Sequence, residues 1–189
     1  MQEVLVAVVD TGVEVTHPDL ADRIWQNAGE TGLDANGNDK RTNGIDDDNN
    51  GYVDDWRGWN FIADNNDPWD DIGHGTHVAG IIGANGVVVG VAPDVTFGAY
   101  RIFGCAGSSN DDVILAAMQL ALTDGMNVIN MSLGATFDRN NAGGGGAGLL
   151  ISALNRAVDL ATQRGSLVVS SAGNEGVDLN SRLWAIPAQ

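Results

Sequence analysis

The spacing of apolar positions changes several times along the chain, and each change marks a candidate element. Val4–Val9 is an unbroken, largely β-branched run, the pattern of a strand buried on both faces of a parallel sheet. Trp56–Ile62 alternates instead, which places Trp59 and Phe61 on one face of a second strand and Asn60 on the other. From Thr76, the residues Val78, Ala79, Ile81 and Ile82 have the small, apolar character of a helix packed tightly on something flat. Val87–Val91 and Val95–Ile102 bracket the turn Ala92-Pro93-Asp94, and the second run reads as a strand. Apolar residues at helical spacing (Val113, Ala116, Ala117, Leu120, Ala121) predict a helix over Asp112–Leu122, with Asp111 or Asp112 favouring its start. Asn127–Met131 is a short buried strand. Gly143–Gly146 is a flexible insertion, Leu149–Gln163 a helix ended by Gly165, and Ser166–Ser170 a further strand. The tail Val177–Gln189 shows no clear element. Strands alternating with helices predict an α/β sandwich around a parallel sheet.

The 189 residues suit one domain with a real core, and no run approaches membrane-spanning length. Before Val4 there is no basic stretch or small-residue cleavage site, so a strand is expected there rather than a signal peptide. The single cysteine, Cys105, permits no internal disulfide. A net charge of −16 disfavours nucleic acid and acidic membrane surfaces as partners. Residues 34–71 hold eleven Asp against Lys40, Arg41 and Arg57, so half of that charge sits in about a fifth of the chain.

Residues 27–55 are polar, rich in Gly, Asn and Asp, and weakly periodic, as a long functional loop would be. Within them Asp46, Asp48 and Asn50 offer side-chain oxygens, Gly51 a sharp turn, Tyr52 a backbone carbonyl and Asp54 a carboxylate. These match the first nine places of a calcium loop. Where an EF-hand carries its bidentate glutamate stands Arg57, so the expectation is EF-like spacing without an EF-hand, completed by Asp55 or a carboxylate elsewhere. A merely solvated acidic loop is the alternative. Asp10 closes the first strand on the edge where doubly wound folds place their sites, although an aspartate there can also simply cap a turn. His74 lies between Gly73 and Gly75, which let another group approach the imidazole, and suits proton transfer near neutral pH. His77, inside the helix, reads as a core histidine satisfied by a carbonyl.

With these pieces in place the chain resembles the subtilisin-like serine proteases, the subtilase family. Asp10-Thr11-Gly12 resembles the family's aspartate motif and Gly73-His74-Gly75-Thr76-His77-Val78-Ala79-Gly80 its histidine motif. Asn130-Met131-Ser132-Leu133-Gly134 resembles its substrate-binding strand, and Ala172-Gly173-Asn174-Glu175-Gly176 its oxyanion motif. The resemblance implies a three-layer sandwich about a doubly wound, mostly parallel sheet, cut at both ends, with one partial catalytic domain over residues 1–189 and the acidic insertion at 27–55. It implies His74 as general base, Asp10 as the group that fixes its tautomer, and Asn174 as oxyanion donor. Ser132, Leu133 and Gly134 with Gly107, Ser108 and Ser109 would hold an extended peptide or protein substrate, and Ala172 and Gly173 would wall the pocket for the residue before the scissile bond. A secreted, extracellular or periplasmic setting follows from the family alone.

The departures are equally definite. The family's nucleophile motif, Gly-Thr-Ser-x-Ala-x-Pro, does not occur in these residues, and neither Ser170 nor Ser171 suits the role. The stretch from Gly80 to Ala92 is also shorter than the family's usual calcium loop there. The expectation is therefore a calcium-dependent endopeptidase fragment, inactive alone, whose partner is a carboxy-terminal segment carrying the serine. The alternative is a non-catalytic module that binds peptide or calcium. A fragment lacking edge segments is also expected to associate with itself or a partner.

Overall fold

The computed structural model describes residues 3–138, 146–174, 176 and 183–186, and the side chains of 3–134, 151–174 and 176. Five strands form one parallel sheet: β1 (Leu5–Asp10), β2 (Gly58–Asn60), β3 (Thr96–Arg101), β4 (Val128–Met131) and β6 (Leu167–Ser170), in the spatial order β2-β3-β1-β4-β6. A separate antiparallel pair joins β5 (Ala135–Asp138) to β7 (Leu183–Ile186). The helices are α1 (His74–Gly83), α2 (Asp111–Thr123) and α3 (Gly146–Gln163).

The alternation within β1 determines which helix covers which face. Val6 and Val8 pack with Phe97 and Ala99 of β3 against Ala79, Val78 and Ile82 of α1. Ala7 and Val9 turn the other way, joining Tyr100, Ile129 and Met131 against Ala117, Met118, Leu120 and Ala121 of α2 and Ile151, Leu154 and Ala161 of α3. The sheet is thus a middle layer with helices on both sides, the expected α/β sandwich. β1 lies at its centre, bonded to β3 and β4, with the chain extending first to one side and then to the other. The cover is uneven. On β6, Val168 packs into the α2–α3 layer, whereas Leu167 and Val169 face the α1 side 62% and 43% exposed.

Most predicted elements appear within a residue or two, and the differences have physical causes. The second strand shrinks to Gly58–Asn60 because Trp56 is taken up elsewhere, flanked by the guanidinium groups of Arg57 (4.8 Å to the ring centroid) and Arg41 (5.6 Å). Gly58 can begin the strand only as glycine. Its φ is +117°, and a Cβ would lie 1.9 Å from the Ala99 carbonyl oxygen. Trp59 and Phe61 do share a face, both edge-on to Tyr52 at 5.1 and 5.6 Å. The apolar run Val87–Val91 is an exposed loop, held by the Asp19 carboxylate, which accepts the Val87 and Val88 amides at 2.9 and 3.0 Å. The helix read as Leu149–Gln163 starts earlier, at Gly146, so that glycine is helical; the rest of the predicted insertion, residues 143–145, lies outside the described residues. The tail, which shows no clear element in sequence, contains β7, whose four residues are too few to show a period. No helix among the described residues is long and apolar enough to cross a membrane.

A titratable pair sits at the margin of the core. The Tyr100 hydroxyl, fully buried, donates to Asp124 Oδ2 at 2.5 Å at the carboxyl end of α2. Burial, reinforced by the charges of Asp55 and Asp48, raises Asp124 to about 8 despite that hydrogen bond. A carboxyl group that keeps its proton when folded and releases it when unfolded makes stability fall as pH rises. Asp124 should therefore weaken the fold progressively between its unfolded value of about 4 and about 8. Asp124→Asn, which keeps an acceptor for Tyr100, should flatten this part of the pH–stability curve measured by urea unfolding. Parallel curves for the two proteins would refute the assignment.

Candidate active site

The carboxyl edge of the sheet brings together segments far apart in sequence. β1 ends at Asp10, almost fully buried, and α1 begins at His74. His74 Nδ1 lies 2.7 Å from Asp10 Oδ1, which also accepts the Thr11 amide at 2.7 Å. The imidazole side chain remains 54% exposed, so one side is held while the other is open.

Two buried groups hold α1 against the end of β1. Asp70 Oδ1 accepts the Thr11 hydroxyl (2.9 Å) and the amides of Ile72 (3.0 Å) and Gly73 (2.8 Å). Its Oδ2 accepts the amide (2.9 Å) and hydroxyl (2.6 Å) of Thr76. Burial works against the charge on Asp70, but the bonds from Thr76, Gly73 and Ile72 outweigh it and keep the carboxyl below its usual range. Thr11 completes the link, its Oγ1 accepting the Gly75 amide at 2.9 Å. On the other side Arg101, at the end of β3, donates to the Trp69 carbonyl, to Asp71 Oδ1 (2.8 Å) and to the Phe103 carbonyl (3.2 Å). Asp70, Thr11 and Arg101 were not singled out in the sequence. Their roles come from contacts across the fold, and only Thr11, beside Asp10, lies in a motif.

Gly75 does more than open the imidazole to approach. A Cβ there would lie 2.1 Å from the Gly12 carbonyl oxygen and 3.1 Å from Asp10 Cβ, so its missing side chain lets the helix dock. Gly73, with open space around it, keeps the access role. His77 is exposed on α1, beside a groove it shares with Glu14, His17, Ile81 and Val88, and so is not a core histidine. The periodicity located the helix but not which of its sides is covered.

The substrate candidates leave neighbouring strands at this same edge. Ser132–Gly134 follows β4 and Ser171–Asn174 follows β6. They are joined by the Ser171 amide to the Met131 carbonyl (3.3 Å) and by the Ser171 hydroxyl to the Leu133 carbonyl (3.1 Å). The Ser170 hydroxyl donates to the Ser171 carbonyl, so both hydroxyls are engaged with backbone. Ala172, Gly173 and Asn174 are exposed, while Gly107, Ser108 and Ser109 lie in the loop after β3, with Gly107 in a left-handed turn at φ +66°.

The acidic loop gathers a different set of oxygens from the one its spacing suggested. Single carboxylate oxygens of Glu30, Asp46 and Asp48 lie within 4.8 Å of one another. Asn50 stands beside them, its Nδ2 2.9 Å from Asp55 Oδ2 and 3.4 Å from Asp48 Oδ2. Tyr52 commits its ring to Trp59 and Phe61. Asp54 lies outside the group, and its carboxylate accepts the Gly44 amide at 3.1 and 3.2 Å. Asp55 is fully buried between the side-chain amides of Asn27 and Asn50, and burial raises it to about 6. An oxygen-only donor set suits a hard divalent cation such as calcium. The buried Glu30 fits that chemistry, since its Oε2 has no hydrogen-bond partner among the described residues. Glu30 stands well upstream of the motif, where spacing gives no signal.

A profile of the subtilase family matches residues 1–188. The chain belongs to that family. It is 36% identical over 180 residues to the minor extracellular protease Vpr of Bacillus subtilis, covering 90% of this chain and 18% of that protein. Against thermitase of Thermoactinomyces vulgaris it is 30% identical over 175 residues, covering 90% of this chain and 47% of that one. The solved structure of the nisin leader peptidase NisP from Lactococcus lactis superposes with a TM-score of 0.71 at 26% identity, covering 99% of this chain and 53% of that one. The chain thus spans about half or less of these relatives. The family is one of serine endopeptidases, and the subtilisin-like fold is confirmed.

Two glycines of α1 provide a matched test of the docking. Gly75→Ala should destabilise by about 1–3 kcal/mol or more through overpacking against Gly12. Gly80→Ala, with nothing within 4 Å of the new methyl group, should stabilise by about 0.5–1 kcal/mol. Urea midpoints of the two variants should move in opposite directions from wild type.

Proposed function

We propose that this chain carries the aspartate, the general base and the oxyanion donor of a secreted, calcium-dependent endopeptidase of subtilisin type, and that a serine on another segment completes it. The observation behind this reading is the 2.7 Å contact between Asp10 and His74 at the sheet edge from which the two substrate-flanking segments also emerge. Residues 1–189 would form one partial catalytic domain, with 27–55 as its calcium-binding insertion.

The chemistry follows from the geometry. An ionised carboxylate only accepts, so Asp10 requires the hydrogen on Nδ1 and leaves Nε2 as the basic nitrogen. That nitrogen takes the proton of an incoming serine hydroxyl as the oxygen adds to the scissile carbonyl. It later returns the proton to the leaving amine, while Asp10 stabilises the imidazolium in between. Asn174 would donate its side-chain amide to the tetrahedral oxyanion. Residues 107–109 and 132–134 would hold the peptide as an added strand, with Ala172 and Gly173 against the side chain before the cleaved bond. Losing one oxyanion donor lowers turnover about 10²–10³-fold and losing the nucleophile about 10⁶-fold, magnitudes established on subtilisin itself rather than deduced from these contacts. NisP is named for processing the nisin leader peptide, which supports an extended peptide as the substrate class. The bound cation would supply charge neutralisation in the acidic loop, held by Asp46, Asp48 and Asn50, the Tyr52 carbonyl and a further carboxylate that completes the shell. The exposed apolar side chains of β6 support association with the serine-bearing segment or with a second copy.

Intact-mass measurement with a fluorophosphonate tests the catalytic half. The chain alone should remain a single unmodified species of 19.7 kDa. With a serine-bearing segment supplied, the phosphonyl mass should appear on that segment and vanish in His74→Ala. Labelling of this chain alone would overturn the missing-serine reading, and peptide binding without turnover in the completed pair would support the non-catalytic module. Calcium at about 100 times its dissociation constant should add about 2.7 kcal/mol of stability. Identical melting curves in calcium and in chelator would remove the metal from the proposal.

A further inference from the structure

Glu30 is a carboxylate buried in the acidic region, away from the Asp10–His74 edge. It is fully buried, and its two oxygens differ. Oε1 accepts the backbone amides of Asp47 (2.6 Å) and Asp48 (3.2 Å). Oε2 is buried with no hydrogen-bond partner among the described residues. Leaving a carboxylate oxygen uncompensated in the interior is costly, and two further carboxylates stand close by: single oxygens of Glu30, Asp46 and Asp48 lie within 4.8 Å of one another. Lys40, a cation close by, is committed elsewhere. Lys40 Nζ donates to the Gly29 carbonyl (3.0 Å) and lies 3.7 Å from Asp47 Oδ1.

The approach of the two segments is built into the chain. A Cβ on Gly29 would lie 2.4 Å from Asp48 Cβ, so only glycine lets the turn before Glu30 sit against the acidic loop. Asn27 ties the two together, its Oδ1 accepting the Gly29 amide and its Nδ2 donating to Asp48 Oδ2, both at 2.9 Å. Asp54, the carboxylate favoured by EF-like spacing, is occupied with Gly44. Arg57, at the twelfth place, cannot act as a ligand.

We propose that Glu30 is a direct calcium ligand, contributing Oε2 from upstream of the loop in place of the glutamate that an EF-hand carries at its end, and that Asp54 is not a ligand. This rests on the calcium reading above. It gives the cation a second task, since metal bridging Glu30 to Asp46 and Asp48 closes the intervening residues 31–45 into a stapled loop.

The test is calorimetric calcium titration of the purified chain and its variants, paired with thermal melts in calcium and in chelator. Glu30→Gln keeps the Oε1 acceptor for Asp47 and Asp48 and removes the charge. It should bind calcium at least about tenfold more weakly, and Asp54→Asn should stay within about twofold of wild type. In chelator Glu30→Gln should melt at or above the wild-type temperature, because an uncompensated charge is gone, and in saturating calcium below it. Glu30→Asp, charged but one methylene short, should also lose affinity and serves if the glutamine variant does not fold. Unchanged affinity in both Glu30 variants, or an equal melting loss with and without calcium, overturns the assignment while calcium binding stands. Absence of binding by the wild-type chain overturns both.

Discussion

The carboxylate of Asp70 is where the catalytic edge is joined. It accepts from Thr11, next to the last residue of β1, and from the first turn of α1 and the backbone before it, so one buried charge fixes strand end and helix start together. Hydrogen bonds to a charged acceptor contribute about 1.5–3 kcal/mol each, and a helix start needs acceptors for its free amides in any case. Gly75 then lets the two backbones come close enough for these bonds to form. Without this joint, nothing local would hold His74 against Asp10. The helix has no side-chain cap at Gly73, and its first turn carries no acid of its own.

The acidic loop follows the same logic with opposite electrostatics. At the Asp10–His74 edge, hydroxyl and amide donors surround the carboxylate of Asp70 and hold its pKa below the usual range. In the loop several carboxylates crowd one another, and Asp55, raised to about 6, shows what crowding and burial cost when only two side-chain amides answer them. The two regions are connected. Residues from the loop run directly into β2, β2 pairs with β3, and β3 ends in Arg101, whose guanidinium grips the backbone just before His74.

What the sequence made legible, and what it hid, divides along physical lines. Asp10 and His74 could be found because each stands at the end of a strongly patterned element, where a period change marks the residue. The parallel sheet was equally open to reading, since β1, β3 and β4 are dense apolar runs. Glu30 was hidden because its partners lie across a polar loop with no period to carry it. The exposure of His77 was hidden because amphipathicity is weak on a glycine-rich helix whose apolar residues are few, Val78, Ala79, Ile81 and Ile82. β7 was hidden because a pairing between distant four-residue segments leaves almost no local trace. The docking role of Gly75 was hidden as well: a glycine beside a histidine looks like access, and only the fold shows that Gly12 and Asp10 press against it.

Arg101 stands opposite Asp10 in the register of β3 on β1. In a sheet a slip of one residue turns every side chain to the other face. A slipped β3 would therefore swing the guanidinium away from Trp69 and Asp71 and bring the wholly apolar Ile102 or the ring of Tyr100 to that edge. Such a chain could still satisfy its ladder of backbone bonds, but His74 would lose its support. The correct alignment of a structural strand is thus checked by the site it serves, and a misaligned molecule would betray itself first in a loosened Asp10–His74 contact rather than as an unfolded chain.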